Sequence, residues 1–270
     1  MDGAIILSKD LKKINFANVL LTPSSKIKTF ETGTRHKAAE RTAKQILGLT
    51  IAISERKKEI ILFYKDRRTP IKDNREVADK VLNYMQFLEK QRELFDSSLE
   101  RLNKLELRNY INLGYAVKTI QKGKIIKRIS EELSRYLIEL GNEGNLIRTR
   151  LKELLNEVER ETDLVIKDYS KKDYQESIKD LNILSYEDLL EKENIIKRLG
   201  YENLNEVVNV AGWRILSKTL LSESEIENLI SEVKKLEIIN TSEIDKEFAS
   251  IPKDKFSHLK VELERLKLGV

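Results

Sequence analysis

The chain has 270 residues, a length that suits roughly two domains. Charged residues make up 35% and hydrophobic ones 40%, with only 10 glycines and 3 prolines, which argues for long helices and against a barrel, a sandwich or a disordered chain. Cysteine is absent and there are 2 histidines, so a disulfide scaffold, a zinc finger, an iron–sulfur site, a thiol nucleophile and a metal site built on several histidines are excluded, and any metal must lean on carboxylates and phosphates.

The net charge of +5 is uneven: residues 1–73 carry +8, residues 74–185 carry +1 and residues 186–270 carry −4. An anionic ligand is therefore expected at the front, while the acidic last third is poorly suited to gripping nucleic acid through phosphates. The only early apolar run, Ala4–Leu7, is too short for a signal peptide, and no stretch has the length of a membrane span. The expected location is a reducing cytoplasm, with no membrane partner.

Along the chain, Ala4–Ser8 reads as a short buried strand and Ile14–Leu21 as a second, with a turn at Lys9-Asp10. Thr22–Ser25 is a loop. Residues 36–47 read as a helix with Ala38, Ala39, Ala43 and Ile46 as its small or apolar positions, stopped by Gly48. Thr50–Ser54 and Glu59–Tyr64 form a hairpin, and Lys65–Asp73 is a charged boundary containing Pro70.

From Asn74 the period becomes helical. Val81, Met85, Leu88, Arg92, Phe95, Leu99 and Leu102 follow four-three spacing. Ile125, Ile129, Leu133, Tyr136 and Leu140 mark a helix stopped by Gly141, and Leu146, Leu151, Leu154 and Val158 mark the next. These helices read as a structural connector. Beyond it, Glu187–Leu199, Glu223–Lys235 and Ser257–Leu268 are candidate helices, and Trp213 reads as a core anchor rather than a base-stacking platform.

Glu31–Arg41 is the best site candidate. A glycine-containing loop runs into a helix start, where free N–H groups and the positive dipole end favour an anion. Arg35, His36 and Lys37 fall in the first turn, where each cation is unfavourable by about 0.3–1 kcal/mol unless something compensates. A bound phosphate would do so. The same residues also read as a solvated basic helix start capped by Thr34. Asp2-Gly3-Ala4 places a carboxylate and a glycine before an apolar strand, and Ser54-Glu55 places a hydroxyl and a carboxylate at a strand end; each is weak alone.

Taken together, Asp2-Gly3-Ala4, Leu20-Leu21-Thr22-Pro23, Glu31-Thr-Gly-Thr-Arg-His-Lys37 and Ala39-Glu-Arg41 resemble the diadenylate cyclase family of DNA integrity scanning proteins, whose signatures are DGA and GTRHR. Glu131-Glu132, Tyr136–Gly141, Gly144, Leu151–Leu154, Val165–Tyr169 and Leu199-Gly-Tyr201 resemble that family's helical spine. The resemblance implies an α+β architecture, mostly α overall. Residues 1–73 would be a truncated mixed-sheet cyclase domain, 74–185 a helical spine, and 186–270 a helix-hairpin-helix-like domain with a degenerate hairpin.

It also implies the reaction. Two ATP molecules condense to cyclic di-AMP and two pyrophosphates with Mg²⁺ or Mn²⁺, each ribose 3′-hydroxyl attacking the α-phosphate of the opposite ATP. Two cyclase domains must face each other, so a homo-oligomer is implied. By matching position, Asp2, Arg35 and His36 would be catalytic, with Asp2 binding the metal and Glu55 supporting it. Gly3, Leu21, Thr34, Arg35, His36, Lys37, Ala38 and Ser54 would line the ATP.

Four departures stand out. Lys37 replaces the usual Arg, keeping charge but losing bidentate geometry. Ala38 replaces the usual Thr, removing a hydroxyl. The sequence begins one residue before the DGA motif, so it is expected to be truncated or called from a late start. The hairpin position, Ser250–Ser257, has no glycine, Pro252 lacks an N–H, and binding to branched DNA is expected to be weak. The alternative function is an inactive truncated homologue that oligomerises or associates with DNA through its helices.

Overall fold

The computed structural model describes residues 3–55, 59–71, 74–243 and 248–268. The chain divides into two compact units, Met1–Asp79 and Lys80–Val270. The architecture is α+β and mostly helical, with the strands confined to the first unit.

In the first unit, β1 (Ala4–Leu7) and β2 (Ile14–Val19) form an antiparallel hairpin. It is not the buried pair that its apolar content suggests: Ile5, Ile6, Leu7, Ile14 and Phe16 are all exposed. Helix α1 (Thr34–Ile46) follows, then an antiparallel sheet of β3 (Leu49–Ser54), β4 (Glu59–Tyr64) and β5 (Arg67–Ile71) in that order. The predicted hairpin is present, with Ser54 opposite Glu59; its connection at residues 56–58 lies outside the described residues.

Lys65–Asp73 is not merely a boundary, because Arg67–Ile71 pairs with β4 as a third strand. Pro70 is tolerated because β5 is an edge strand, where a missing N–H costs no ladder bond. Helix α1 starts two residues earlier than its apolar positions indicate, and its end is turned by Leu47 in the left-handed region at φ 50, one residue before Gly48.

Alternation decides what the sheet buries. Ala52, Ile61 and Phe63 pack against Ala39 and Ala43 of α1. Small residues on the helix let it sit close to the sheet. Leu49, Ile51, Ile53, Ile60 and Tyr64 lie on the opposite face and are exposed.

The long helix α2 (Asn74–Leu107) begins in the first unit and continues through the second. Its predicted stripe is buried at Val81, Met85, Leu88, Phe95, Leu99 and Leu102. Helix α3 (Leu113–Leu140) packs against α5 (Val158–Tyr169), and Gly123 permits the contact, because a Cβ there would meet Thr162 Oγ1 at 2.0 Å. The residues expected to form one helix from Leu146 to Val158 form two, α4 (Asn145–Leu155) and α5, broken at Glu157 with φ 62. Leu146, expected in the core, is exposed.

Helices α6 (Tyr174–Ile183), α7 (Tyr186–Leu190) and α8 (Lys192–Arg198) follow. The predicted Glu187–Leu199 helix is thus split at Glu191, which takes an extended conformation. The chain ends with α9 (Trp213–Leu216), α10 (Glu223–Val233), α11 (Leu236–Thr241) and α12 (Lys253–Leu268). Ile215, Leu216, Leu229, Leu236, Phe256 and Leu259 close this core with Leu107 of α2, and Trp213 packs at its edge as expected of an anchor.

Candidate functional site

The start of α1 is the strongest site among the described residues. Gly33 is its cap residue, at φ 92 and ψ 145, and no side chain caps the helix. The capping role expected of Thr34 is therefore not observed: Thr34 is the first helical residue. The Lys37 N–H closes the first turn on the Gly33 carbonyl at 3.1 Å. No acidic residue lies in that turn. Thr34, Arg35 and Lys37 are exposed, Ala38 is half-buried, and His36 is 6% exposed with its Nε2 buried and lacking a hydrogen-bond partner. An uncapped helix start with the cationic Arg35 and Lys37 side chains in its first turn favours an anion carrying several oxygens.

A strap holds the loop that leads into this turn. Glu40 is buried and accepts from the Thr29 hydroxyl, from the Phe30 N–H at 3.3 Å and from Lys44 Nζ at 2.7 Å. Burial pushes the Glu40 carboxyl up, but the donors from Lys44 and Thr29 and the Lys44 charge outweigh it and hold it below its ordinary value. Arg41 Nε donates to the Ile27 carbonyl at 2.9 Å, Lys44 Nζ to the Lys28 carbonyl at 3.1 Å, and Gln45 accepts from the Ser24 N–H at 2.9 Å. Glu31 pairs with Arg68 of β5. Glu40 and Arg41 belong to the motif, whereas Lys44 and Gln45 lie beyond it and were not singled out. The signal that could have found them is the polar run Glu40, Arg41, Lys44, Gln45, which flanks the small Ala39–Ala43 contact.

The remaining predicted residues fall on other elements. Gly3 is required by close approach: a Cβ would lie 2.4 Å from the Asn18 backbone carbon, and the Gly3 N–H donates to Asn18 Oδ1 at 3.1 Å. Leu21 is half-buried just after β2. Ser54 ends β3 on the sheet face that α1 covers, and Glu55 follows it, exposed. Asp2 lies outside the described residues. Among the described residues no group of three acidic or histidine side chains converges as a metal site, so Glu55 alone does not make one.

Two family descriptions match the chain. Residues 1–68 match the nucleotide-binding region of the DisA bacterial checkpoint controller, and residues 71–208 match its linker region. The chain belongs to the DisA family. Among relatives called DNA integrity scanning protein DisA, that of Clostridium perfringens strain SM101 is 39% identical over 245 residues, covering 88% of this chain and 69% of the relative. That of Clostridium botulinum strain Alaska E43 is 38% identical, covering 91% and 71%. That of Fusobacterium nucleatum is 34% identical, covering 100% of this chain and 80% of the relative. The DisA nucleotide-binding match contains the start of α1 and its strap. Among the described residues no helix is long and apolar enough to cross a membrane.

Proposed function

We propose that this chain is a diadenylate cyclase that takes part in DNA integrity scanning. The observation that carries this is the uncapped, cationic start of α1, with Arg35 and Lys37 exposed in its first turn, in the segment that matches a nucleotide-binding region. Thr34, Arg35, His36 and Lys37 hold the ATP phosphates. Ala38 and Ser54 border the phosphate tail, and Gly3 and Leu21 line the nucleotide. Two copies face each other, each with one ATP. Each 3′-oxygen bonds to the α-phosphorus of the opposite ATP, the bond to pyrophosphate breaks, and Asp2 takes up the hydroxyl proton. Positioning and charge neutralisation supply most of the acceleration.

Mg²⁺ or Mn²⁺, held by the triphosphate and Asp2 with support from Glu55, would add neutralisation of the phosphate charge. The triphosphate would supply the oxygen ligands that Asp2 and Glu55 do not.

The test is incubation of the chain with ATP and Mn²⁺, with the products separated by chromatography. Cyclic di-AMP is expected from the chain and not from Asp2→Asn, which should retain ATP binding. A chain that binds ATP and forms no cyclic di-AMP, or an Asp2→Asn variant that turns over normally, contradicts the reading.

A further inference from the structure

Phe30 is the most exposed large apolar side chain among the described residues, at 93%. Its backbone, by contrast, is pinned on both sides. The Phe30 N–H donates to Glu40 Oε2 at 3.3 Å, the Thr29 hydroxyl donates to the same oxygen, and the Glu31 N–H donates to Thr29 Oγ1 at 3.1 Å. Glu31 is tied in turn to Arg68 of β5. Lys44 Nζ, held by Glu40 Oε1 and the Lys28 carbonyl, lies over the Phe30 ring, 6.0 Å from its centroid. A fixed cation stands on one side of the ring, and the rest of the ring is open to water.

A phenyl ring left in water forgoes the stabilisation that burial gives, and fixing the backbone beneath it adds an entropic cost. A connection between β2 and α1 gains nothing from either. A ring already held in place does gain when a ligand covers it, because little freedom is left to lose on binding.

The position of Phe30 bounds that ligand. Phe30 precedes Gly33, the cap residue of α1, by three residues, a reach of at most about 11 Å. Glu40, which holds the Phe30 N–H, lies six residues beyond Thr34, or about 9 Å along the helix axis. Both place the ring within reach of a nucleoside whose phosphates sit at the start of α1. Of the residues proposed to hold ATP, none offers the purine an exposed ring: the only one with a ring, His36, is buried.

We propose that Phe30 is a stacking platform for the purine ring of the nucleotide bound at the start of α1, an inference that rests on the phosphate-site reading above. Stacking on an aromatic side chain uses the π-face that every base carries. Phe30 therefore favours a nucleotide over inorganic triphosphate, and Thr34–Lys37 hold the phosphates of both alike.

The experiment is calorimetric titration of the full chain with ATP and, separately, with inorganic triphosphate. Phe30→Ala should weaken ATP binding about tenfold and leave triphosphate binding unchanged. Phe30→Trp should keep the ATP affinity, and its fluorescence, read above that of Trp213, should be quenched by ATP and not by triphosphate. Unchanged ATP affinity in Phe30→Ala, equal losses for ATP and triphosphate, or a Phe30→Trp signal that ATP does not quench overturns the platform and leaves the phosphate site standing. An unmodified chain that binds neither ligand overturns the phosphate reading and the platform with it.

Discussion

Each cation in the first turn of α1 costs about 0.3–1 kcal/mol against the helix dipole, which a bound phosphate would recover. This makes ligand-induced stabilisation the natural measure at the residue scale: ATP should raise the melting temperature of the chain, and His36→Ala should remove most of the rise, read by thermal unfolding. Lys37→Arg should tighten ATP binding, because a guanidinium can meet two phosphate oxygens at once. Gly33→Ala meets no steric obstacle, yet should cost about 1–2 kcal/mol of stability from the left-handed backbone alone, measured by denaturant titration. The placing of Thr34–Lys37 at a helix start was legible in the sequence, because a glycine-containing loop precedes the small Ala38, Ala39 and Ala43. Glu40 and Arg41 stood in the motif, but their strap was not legible, because it closes on Thr29, on Lys44 and on backbone groups of residues 27–30 that no spacing in the sequence marks.

At the scale of elements, the helices with clean stripes were readable, and α2 follows its Val81–Leu102 stripe closely. The edge strand β5 was not, since Arg67-Arg68-Thr69-Pro70 shows neither alternation nor apolarity and pairs through backbone alone. The break at Glu157 was also hidden, because neither glycine nor proline marks it. The C-terminal turn is the sharper case. Its missing glycine was visible, but the structure adds a competitor: Glu232 of α10 accepts the N–H groups of Ala249 and Ser250 at 3.1 and 3.0 Å, and the Ser250 hydroxyl at 2.7 Å. A carboxylate thus occupies donors that could otherwise serve a phosphate. Glu232→Ala in the full chain should tighten binding to branched DNA in gel shifts, while the unmodified chain binds weakly at physiological salt; equal binding by the two would show that this turn does not meet the phosphates.

The contact between α10 and α12 is sensitive to acid. The Lys255 ammonium first, then the Ser222 N–H and hydroxyl, pull the Glu225 carboxyl down to about 2 from 4.5. A carboxylate held below its unfolded value contributes stability above about pH 4.5 and loses it as pH falls towards about 2. Glu225→Gln should therefore reduce the acid sensitivity of unfolding in that window, followed by circular dichroism.

For the whole molecule, the basic first third suits the proposed anionic substrate, and the acidic last third offers little long-range attraction to DNA. Condensing two ATP molecules on facing sites requires self-association, so light scattering at micromolar concentration should give a mass above that of the 31.5 kDa chain. A strictly monomeric chain would leave the proposed reaction without its second site. The central claim, that the start of α1 is a nucleotide phosphate site, is tested most directly by calorimetric titration of ATP into the chain and into the Arg35→Ala/His36→Ala double variant. Measurable ATP binding that disappears in the double variant, with its fold intact by circular dichroism, is the predicted result; unchanged affinity in the double variant would contradict it.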